Sequence, residues 1–411
     1  MTSVLRRRNA LCLLFLLPGL GISSWVTRTP DIRDQLSAST AQMGFILFGL
    51  SVGSMIGILG SGLLVARWGT RPVIGAGMLA NVLGVAVVGL GAAAGSGLLV
   101  AVGLAVFGLG MGSGEVALNI DGAEVERLFG RSVMPVMHGF FSFGTVIGAG
   151  AGMALTAAQF PVTAHLVIAS MLMTGGLAVA LRGIPAGFGR RAAASAQSPG
   201  GASRPAVWRD RRLLLLGCVI LALAMAEGTA NDWLPLVMVD GHGFDAAWGS
   251  GVFAVFAAAM TLGRFTGGRF VNRYGRTAVL VASASIGAVG IAGVVFLDHG
   301  GAAAAAVVLW GLGASLGFPV ALSAAGAGAS HPDEAAARVS FAATIGYVAF
   351  LVGPPVLGVL GENLGLRQAL ILVLVLVALS AVLAALARTP ATASGDGGPE
   401  LEPEVTEHSG R

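Results

Sequence analysis

Four carboxylates stand in stretches of this 411-residue chain where nearly every neighbour is apolar: Glu115 and Asp121, then Glu227 and Asp232. A carboxylate at the centre of a lipid bilayer costs about 2.5–3.5 kcal/mol, so one that persists there has a protein partner, water or a task. Asn119 follows Glu115 by one helical turn and shares its face. His138, in the next apolar stretch, falls at matching depth. An acid and an imidazole at one depth can share a proton, and histidine titrates near neutral pH; the alternative is a hydrogen bond that fixes one helix against the next. Glu227 belongs to Ala226-Glu227-Gly-Thr-Ala-Asn231-Asp232-Trp233, the most polar tract inside any apolar stretch, with Asn231 one turn on. Glu115, Asn119, His138, Glu227, Asn231 and Asp232 are therefore the candidates for binding a small solute or a proton. Asp121, beside Glu124, Glu126, Arg127 and Arg131, reads as a solvated helix end. Trp25 and Trp233 close corresponding stretches and read either as interfacial anchors or as walls of a binding site.

The elements that carry these residues follow from composition. Apolar residues make up 55% of the chain and charged ones 11%, against about 25% charged in soluble domains. The apolar residues form long blocks without strand or amphipathic-helix alternation, the pattern of elements whose outer surface meets lipid. Twelve blocks are long enough to cross a bilayer: near 9–28, 41–66, 72–93, 97–121, 132–157 and 162–182, then 212–239, 247–268, 277–297, 301–328, 339–360 and 366–387. All are expected to be helices, because lipid offers the backbone no partner outside its own segment. The predicted fold is an all-α membrane protein with twelve transmembrane helices. The first block reads as a retained helix and not as a signal peptide, since Ser23-Ser24-Trp25 is no small-x-small cleavage site.

All 24 basic residues are arginine, which excludes Schiff-base and lysine general-base chemistry. With the N-terminus in the cytoplasm, every arginine but Arg28, Arg33 and Arg367 falls on the cytoplasmic side, as the positive-inside rule requires. Both termini are then cytoplasmic. The arginines are scattered over loops and form no continuous basic face, so a nucleic-acid partner is not expected. Cys12 and Cys218 lie in apolar blocks without metal-ligand or disulfide spacing. Phosphate-loop, GxSxG and HExxH signatures are missing, so no enzyme, metal or cofactor reading has residues behind it.

A duplication organises the whole. Gly62-Leu-Leu-Val-Ala-Arg67-Trp-Gly69-Thr-Arg71 returns 206 residues later as Gly268-Arg-Phe-Val-Asn-Arg273-Tyr-Gly275-Arg276, and Phe107-Gly-Leu-Gly returns 203 residues later as Trp310-Gly-Leu-Gly. The expected organisation is a cytoplasmic N-terminus (1–8), a six-helix bundle (9–182), a flexible cytoplasmic linker (183–211), a second bundle (212–387) and a disordered tail (388–411). The arginines of the two loops, Arg67, Arg71, Arg273 and Arg276, are placed to clamp helix ends by holding carboxylates or terminal carbonyls. Arg264, one turn before the eighth block ends, is able to snorkel to the surface.

Twelve spans, tandem halves and Gly-x-x-x-x-Arg-x-Gly-x-Arg between the second and third spans resemble the major facilitator superfamily. Within it, the tracts Gly114-Glu115-Val-Ala-Leu-Asn119, Val125-Glu126-Arg127, His138-Gly139, Ala226 to Trp233 and Thr344 to Pro354 are similar to the YbjJ-type branch of bacterial inner-membrane proteins. The resemblance implies two pseudo-symmetric six-helix bundles that rock about a central cavity lined by the first, fourth, seventh and tenth helices. It implies a rocker-switch transporter of the inner membrane but supplies no ligand; the expected reading is a monomeric, proton-driven secondary transporter of a small solute, and the uncharged Asn119 and Asn231, by analogy with a related branch that takes up sugars with protons, suit a polar, sugar-like one. The alternatives are export of a hydrophobic compound and a sensor that transports nothing. The loop acid usual in the superfamily is replaced here by Ala66 and Asn272, and the antiporter Gly-Pro motif is missing from Gly144-Thr-Val-Ile-Gly148.

Overall fold

The computed structural model describes residues 2–130, 133–190, 209–327, 329 and 332–387. The core of the expected linker, 191–208, the tail 388–411 and Arg131 lie outside the described residues. Described residues form twelve α-helices and no strand: α1 (Thr2–Val26), α2 (Thr29–Leu36), α3 (Thr40–Trp68), α4 (Thr70–Ala93), α5 (Gly97–Phe129), α6 (Met134–Ala157), α7 (Val162–Ala180), α8 (Arg211–His242), α9 (Ala246–Phe296), α10 (Gly300–Gly326), α11 (Pro332–Leu364) and α12 (Leu366–Leu386). Eleven are long and apolar enough to cross a membrane; the exception is the short α2.

The eighth and ninth spans are the two arms of the 51-residue α9, which meet at Gly275, where the backbone is not helical. At about 1.5 Å per residue such a run is more than twice the ~30 Å of a bilayer core, so its two arms are two crossings. The first span begins at Thr2 instead of residue 9; its three arginines extend the helix beyond the apolar block, because a helix end can leave lipid without stopping.

Helix starts are set by local polar groups. Ser39 and Gln42 form a reciprocal capping box at α3. Asp210 accepts from the N–H groups of Arg212 and Leu213 at α8, and Asp245 from Trp248 N–H at α9.

The duplication is visible in the backbone. Gly69 (φ 85°, ψ 172°) and Gly275 (φ 79°, ψ 163°) turn the chain in the same way, through a region of φ/ψ space open essentially only to glycine. The helix after each loop meets the next one equivalently. A Cβ on Gly84 would lie 2.6 Å from Phe107 N, and one on Gly290 would lie 2.2 Å from Trp310 N. Helix pairing repeats as well: α4 packs on α5 and α7 in the first half, and the second arm of α9 stands in the same relation to α10 and α12. Small residues at these crossings let backbones approach where lipid supplies no hydrophobic drive.

The halves meet along α3 with α11 and α6 with α9. Hydrogen bonds join them at the face opposite the termini: Arg33 to Asp240, Ser250 Oγ to Thr27 O (2.5 Å) and Ala41 N–H to Glu362 Oε2 (3.1 Å). Others cross at mid-depth, including Ser51 Oγ to Phe350 O (2.7 Å). Nearer the termini the halves touch by packing, as where the Phe265 ring lies against Gly139, so the hydrogen-bonded latch described above belongs to the opposite face. α1 and α8 are the most enclosed spans, 78% and 72% buried over their apolar windows against 28–56% for the others.

The two glycine turns separate strain from crowding. A Cβ at Gly69 would lie 2.7 Å from Phe188 O, whereas one at Gly275 meets nothing within 4 Å. Gly275→Ala is expected to cost backbone strain alone, about 1–3 kcal/mol, and Gly69→Ala more than that. Thermal unfolding of the two purified variants, with Gly69→Ala melting below Gly275→Ala, is the check.

Candidate functional site

Glu227, on α8, has its Oε1 2.8 Å from Arg264 Nη2 on the first arm of α9, with both side chains largely shielded. Arg264 therefore does not snorkel; a carboxylate one helix away offers its guanidinium a nearer partner than the surface does. Sequence reading missed this role because the partners are 37 residues apart and nothing local distinguishes a paired arginine from a snorkelling one.

Glu115 comes to the same place from the other half. It lies within electrostatic reach of both Arg264 and Glu227. Tyr347 of α11 lies within reach of Glu115, and His138 within reach of Arg264. Glu115 and His138 are exposed on the protein alone, although Arg264 and, for Glu115, Tyr347 of the opposite half lie within electrostatic reach of them. That combination belongs to the wall of a crevice between the halves and not to a lipid-facing surface. One guanidinium thus faces two carboxylates, and only Glu227 is paired with it.

His138 makes no hydrogen bond to Glu115 among the described residues. Its Nε2 lies 3.1 Å from Asn119 Oδ1, and its ring stands against Phe15 of α1 with centroids 4.8 Å apart. The imidazole ties α6 to α5 and α1, the second of the two roles open to it in the sequence. Asn119 is occupied by this contact. Asn231 is half-buried one turn beyond Glu227. Asp232 is buried, with no hydrogen bond or ion pair among the described residues. Trp25 and Trp233 are each 1% exposed, so neither is an interfacial anchor, and both indole N–H groups are without partner.

Asp121 corrects a further expectation. It is not a solvated helix end but fully buried, with Arg7 Nε 2.6 Å from Oδ1 and Thr70 Oγ1 donating to Oδ2 at 2.6 Å. The cause is helical phase: Ala117 and Val125, one turn to either side, are also fully buried, whereas Glu124 turns outward to Arg127. Arg7 also stacks over Phe188, 4.5 Å from its ring centre. Thr70 N–H donates to Phe188 O at 2.8 Å, and Arg190 Nε donates to Trp68 O at 3.2 Å.

The first loop is therefore held through Thr70 and Asp121. Gly62 lies half-buried on α3, and Arg67 and Arg71 make no hydrogen bond or ion pair among the described residues. In the second loop Arg276 Nε donates to Ser323 Oγ of α10 at 3.0 Å, Arg273 lies over the ring of Tyr274 (5.5 Å), and Gly268 is exposed. Clamping thus falls to Arg276 in one half and to a carboxylate in the other. A notch of about 260 Å³ at the latched face, bordered by Thr40, Asp240, Gly361 and Arg367, is remote from the charged cluster.

Residues 10–346 match the family model described as Major Facilitator Superfamily. An uncharacterized MFS-type transporter of Yersinia pestis is 32% identical over 353 residues, spanning 85% of this chain and 88% of the relative. An uncharacterized transporter of Sinorhizobium fredii is 30% identical over 370 residues, spanning 90% and 95%. Among solved structures, a mutant of the nucleoside transporter NupG superposes with a TM-score of 0.76 at 13% identity, covering 93% of this chain and 100% of that one. A mutant of the Escherichia coli fucose:proton symporter FucP superposes with a TM-score of 0.63 at 18% identity, covering 93% and 98%. The last two likenesses concern the fold.

The buried Arg7–Asp121 pair generates a stability prediction. Asp121→Ala leaves the guanidinium uncompensated and is expected to cost about 3–5 kcal/mol. Arg7→Met combined with Asp121→Leu, which removes both charges, is expected to recover more than half of that loss in detergent unfolding measurements.

Proposed function

The chain belongs to the major facilitator superfamily, and from that membership we propose that it is a proton-coupled secondary transporter of a small polar solute, working by alternating access. The observation that carries the reading is the Glu227–Arg264 ion pair within electrostatic reach of Glu115 from the other half. Carboxylates inside a membrane protein mark substrate or proton pathways, and here they gather between the two halves that the mechanism moves.

In this scheme Glu115 takes up and releases the proton, and Arg264 is the cation for which two carboxylates compete. Glu227 holds it in the state latched at the face opposite the termini. Loss of the proton from Glu115 strengthens its claim on Arg264, and that competition couples proton movement to the rocking of the halves. Asn231 and Tyr347 supply uncharged hydrogen-bonding groups suited to a hydroxylated solute, while His138 and Asn119 set the wall on the first-half side. Fold neighbours named for nucleoside and fucose transport favour such a solute. Export of a hydrophobic compound fits a crevice holding three charged side chains less well.

Residues 9–182 and 212–387 act as the two rocking bundles, joined by 183–211. The arginine distribution favours cytoplasmic termini in the inner membrane, so the latched face is periplasmic and the crevice opens inward. The tracts around Glu115 and Glu227 favour the YbjJ-type branch.

A thermal-shift screen of the purified protein against a metabolite library at two pH values identifies a solute through ligand-linked stabilisation. For that solute, Glu227→Gln is expected to keep folding and membrane insertion but to lose accumulation against a gradient in vesicles. Accumulation by Glu227→Gln at the wild-type rate contradicts the assignment.

A further inference from the structure

Three polar side chains on one stretch of α8 take no part in the charged cluster. Thr229, Asp232 and Trp233 are 3%, 7% and 1% exposed. Their spacing of three and four residues puts them on a common side of the helix. The hydroxyl of Thr229 and the indole N–H of Trp233 are buried without a hydrogen-bond partner, and Asp232 makes neither a hydrogen bond nor an ion pair among the described residues.

Asp232 lies ten residues before the His242 end of α8, roughly 15 Å along the axis at 1.5 Å per residue. Glu227 is one and a half turns deeper and engaged with Arg264. Of the arginines on or beside elements packed against α8, Arg28 is paired with Asp31, Arg33 with Asp240, Arg264 with Glu227, Arg338 with Asp210 and Arg367 with Asp298, while Arg269, Arg273 and Arg276 stand around the Gly275 turn, at the other end of the first arm of α9. A buried, unpaired negative charge is strongly unfavourable, so this carboxylate needs a positive charge of its own.

We propose that Asp232 and Thr229 form a site for a single positive charge, a proton or a Na⁺ ion, separate from the Glu115–Arg264–Glu227 cluster. The carboxylate neutralises the charge. The hydroxyl is a hard oxygen ligand suited to Na⁺, or an acceptor for the acid proton of Asp232. Its position toward the latched face makes it a station for the coupling ion on that side of the crevice.

The test uses purified full-length protein in detergent. Unfolding temperature is followed in one arm against NaCl at pH 8, with choline chloride as the control. In the other arm it is followed against pH from 8 to 5 without sodium. Wild type is expected to gain about 2–4 °C, saturably, on one axis. Asp232→Asn is expected to abolish that gain, Asp232→Glu to keep it, and Glu227→Gln to keep it, which distinguishes this site from the central cluster. Thr229→Val is expected to shift a sodium midpoint at least ~10-fold, as loss of one ion-coordinating oxygen costs about 1.4 kcal/mol or more, while leaving a proton midpoint nearly in place. The proposal is overturned by a wild-type response that survives Asp232→Asn, by its loss in Glu227→Gln, or by a wild type that responds on neither axis.

Discussion

The ion pair between Arg264 and Glu227 exists because hydrocarbon gives a charge nothing to bind. In water a guanidinium and a carboxylate 2.8 Å apart gain little over their hydrated forms; between membrane helices each needs the other. That constraint runs through the molecule. Arg7 and Asp121, both enclosed, are paired in the same way. With enclosed charges held by partners, the places where the partnership is incomplete stand out. Glu115 and Glu227 face a single guanidinium, and an excess of one carboxylate in an accessible crevice is a setting in which a proton or a solute changes the balance.

The scaffold beneath these charges is symmetric and the charges are not. Gly69 and Gly275 turn alike, and Gly84 and Gly290 receive Phe107 and Trp310 alike. Yet the position 203 residues on from Glu115 is Phe318, the position 208 residues before Glu227 is Gly19, and the position 206 residues before Arg264 is Ile58. Gly19 shows why one is not free to mirror the other: a Cβ there would lie 2.2 Å from Phe141 O, so α1 has no room for a side chain where α8 carries an acid. Packing is shared between the halves, and chemistry is distributed between them.

What the sequence discloses depends on how local the physics is. The spans, the repeat and the depth of Glu115 and Glu227 are set by stretches of about twenty residues, and lipid makes their apolarity unambiguous. Arg264 and Asp121 were misread because their environment is assembled from distant segments: Glu227 on another helix for one, Arg7 and Thr70 for the other. For Asp121 a signal was present, since Ala117 and Val125 at one-turn spacing mark a buried face, but the charges at Glu124, Glu126 and Arg127 outweighed it. Tyr347, in a tract already notable in the sequence, acquires meaning only through its proximity to Glu115.

The account rests on Glu115 meeting water in a crevice instead of lipid on the outside, and thiol accessibility measures that difference. In a background lacking Cys12 and Cys218, single cysteines replace Glu115 and, as a lipid-facing reference, Leu59, which is 73% exposed on the protein alone. Open membranes are then treated with a charged, membrane-impermeant thiol reagent. Fast labelling at position 115 with none at position 59 is the result expected; equal resistance at both positions would contradict the placement of the charged cluster between the halves.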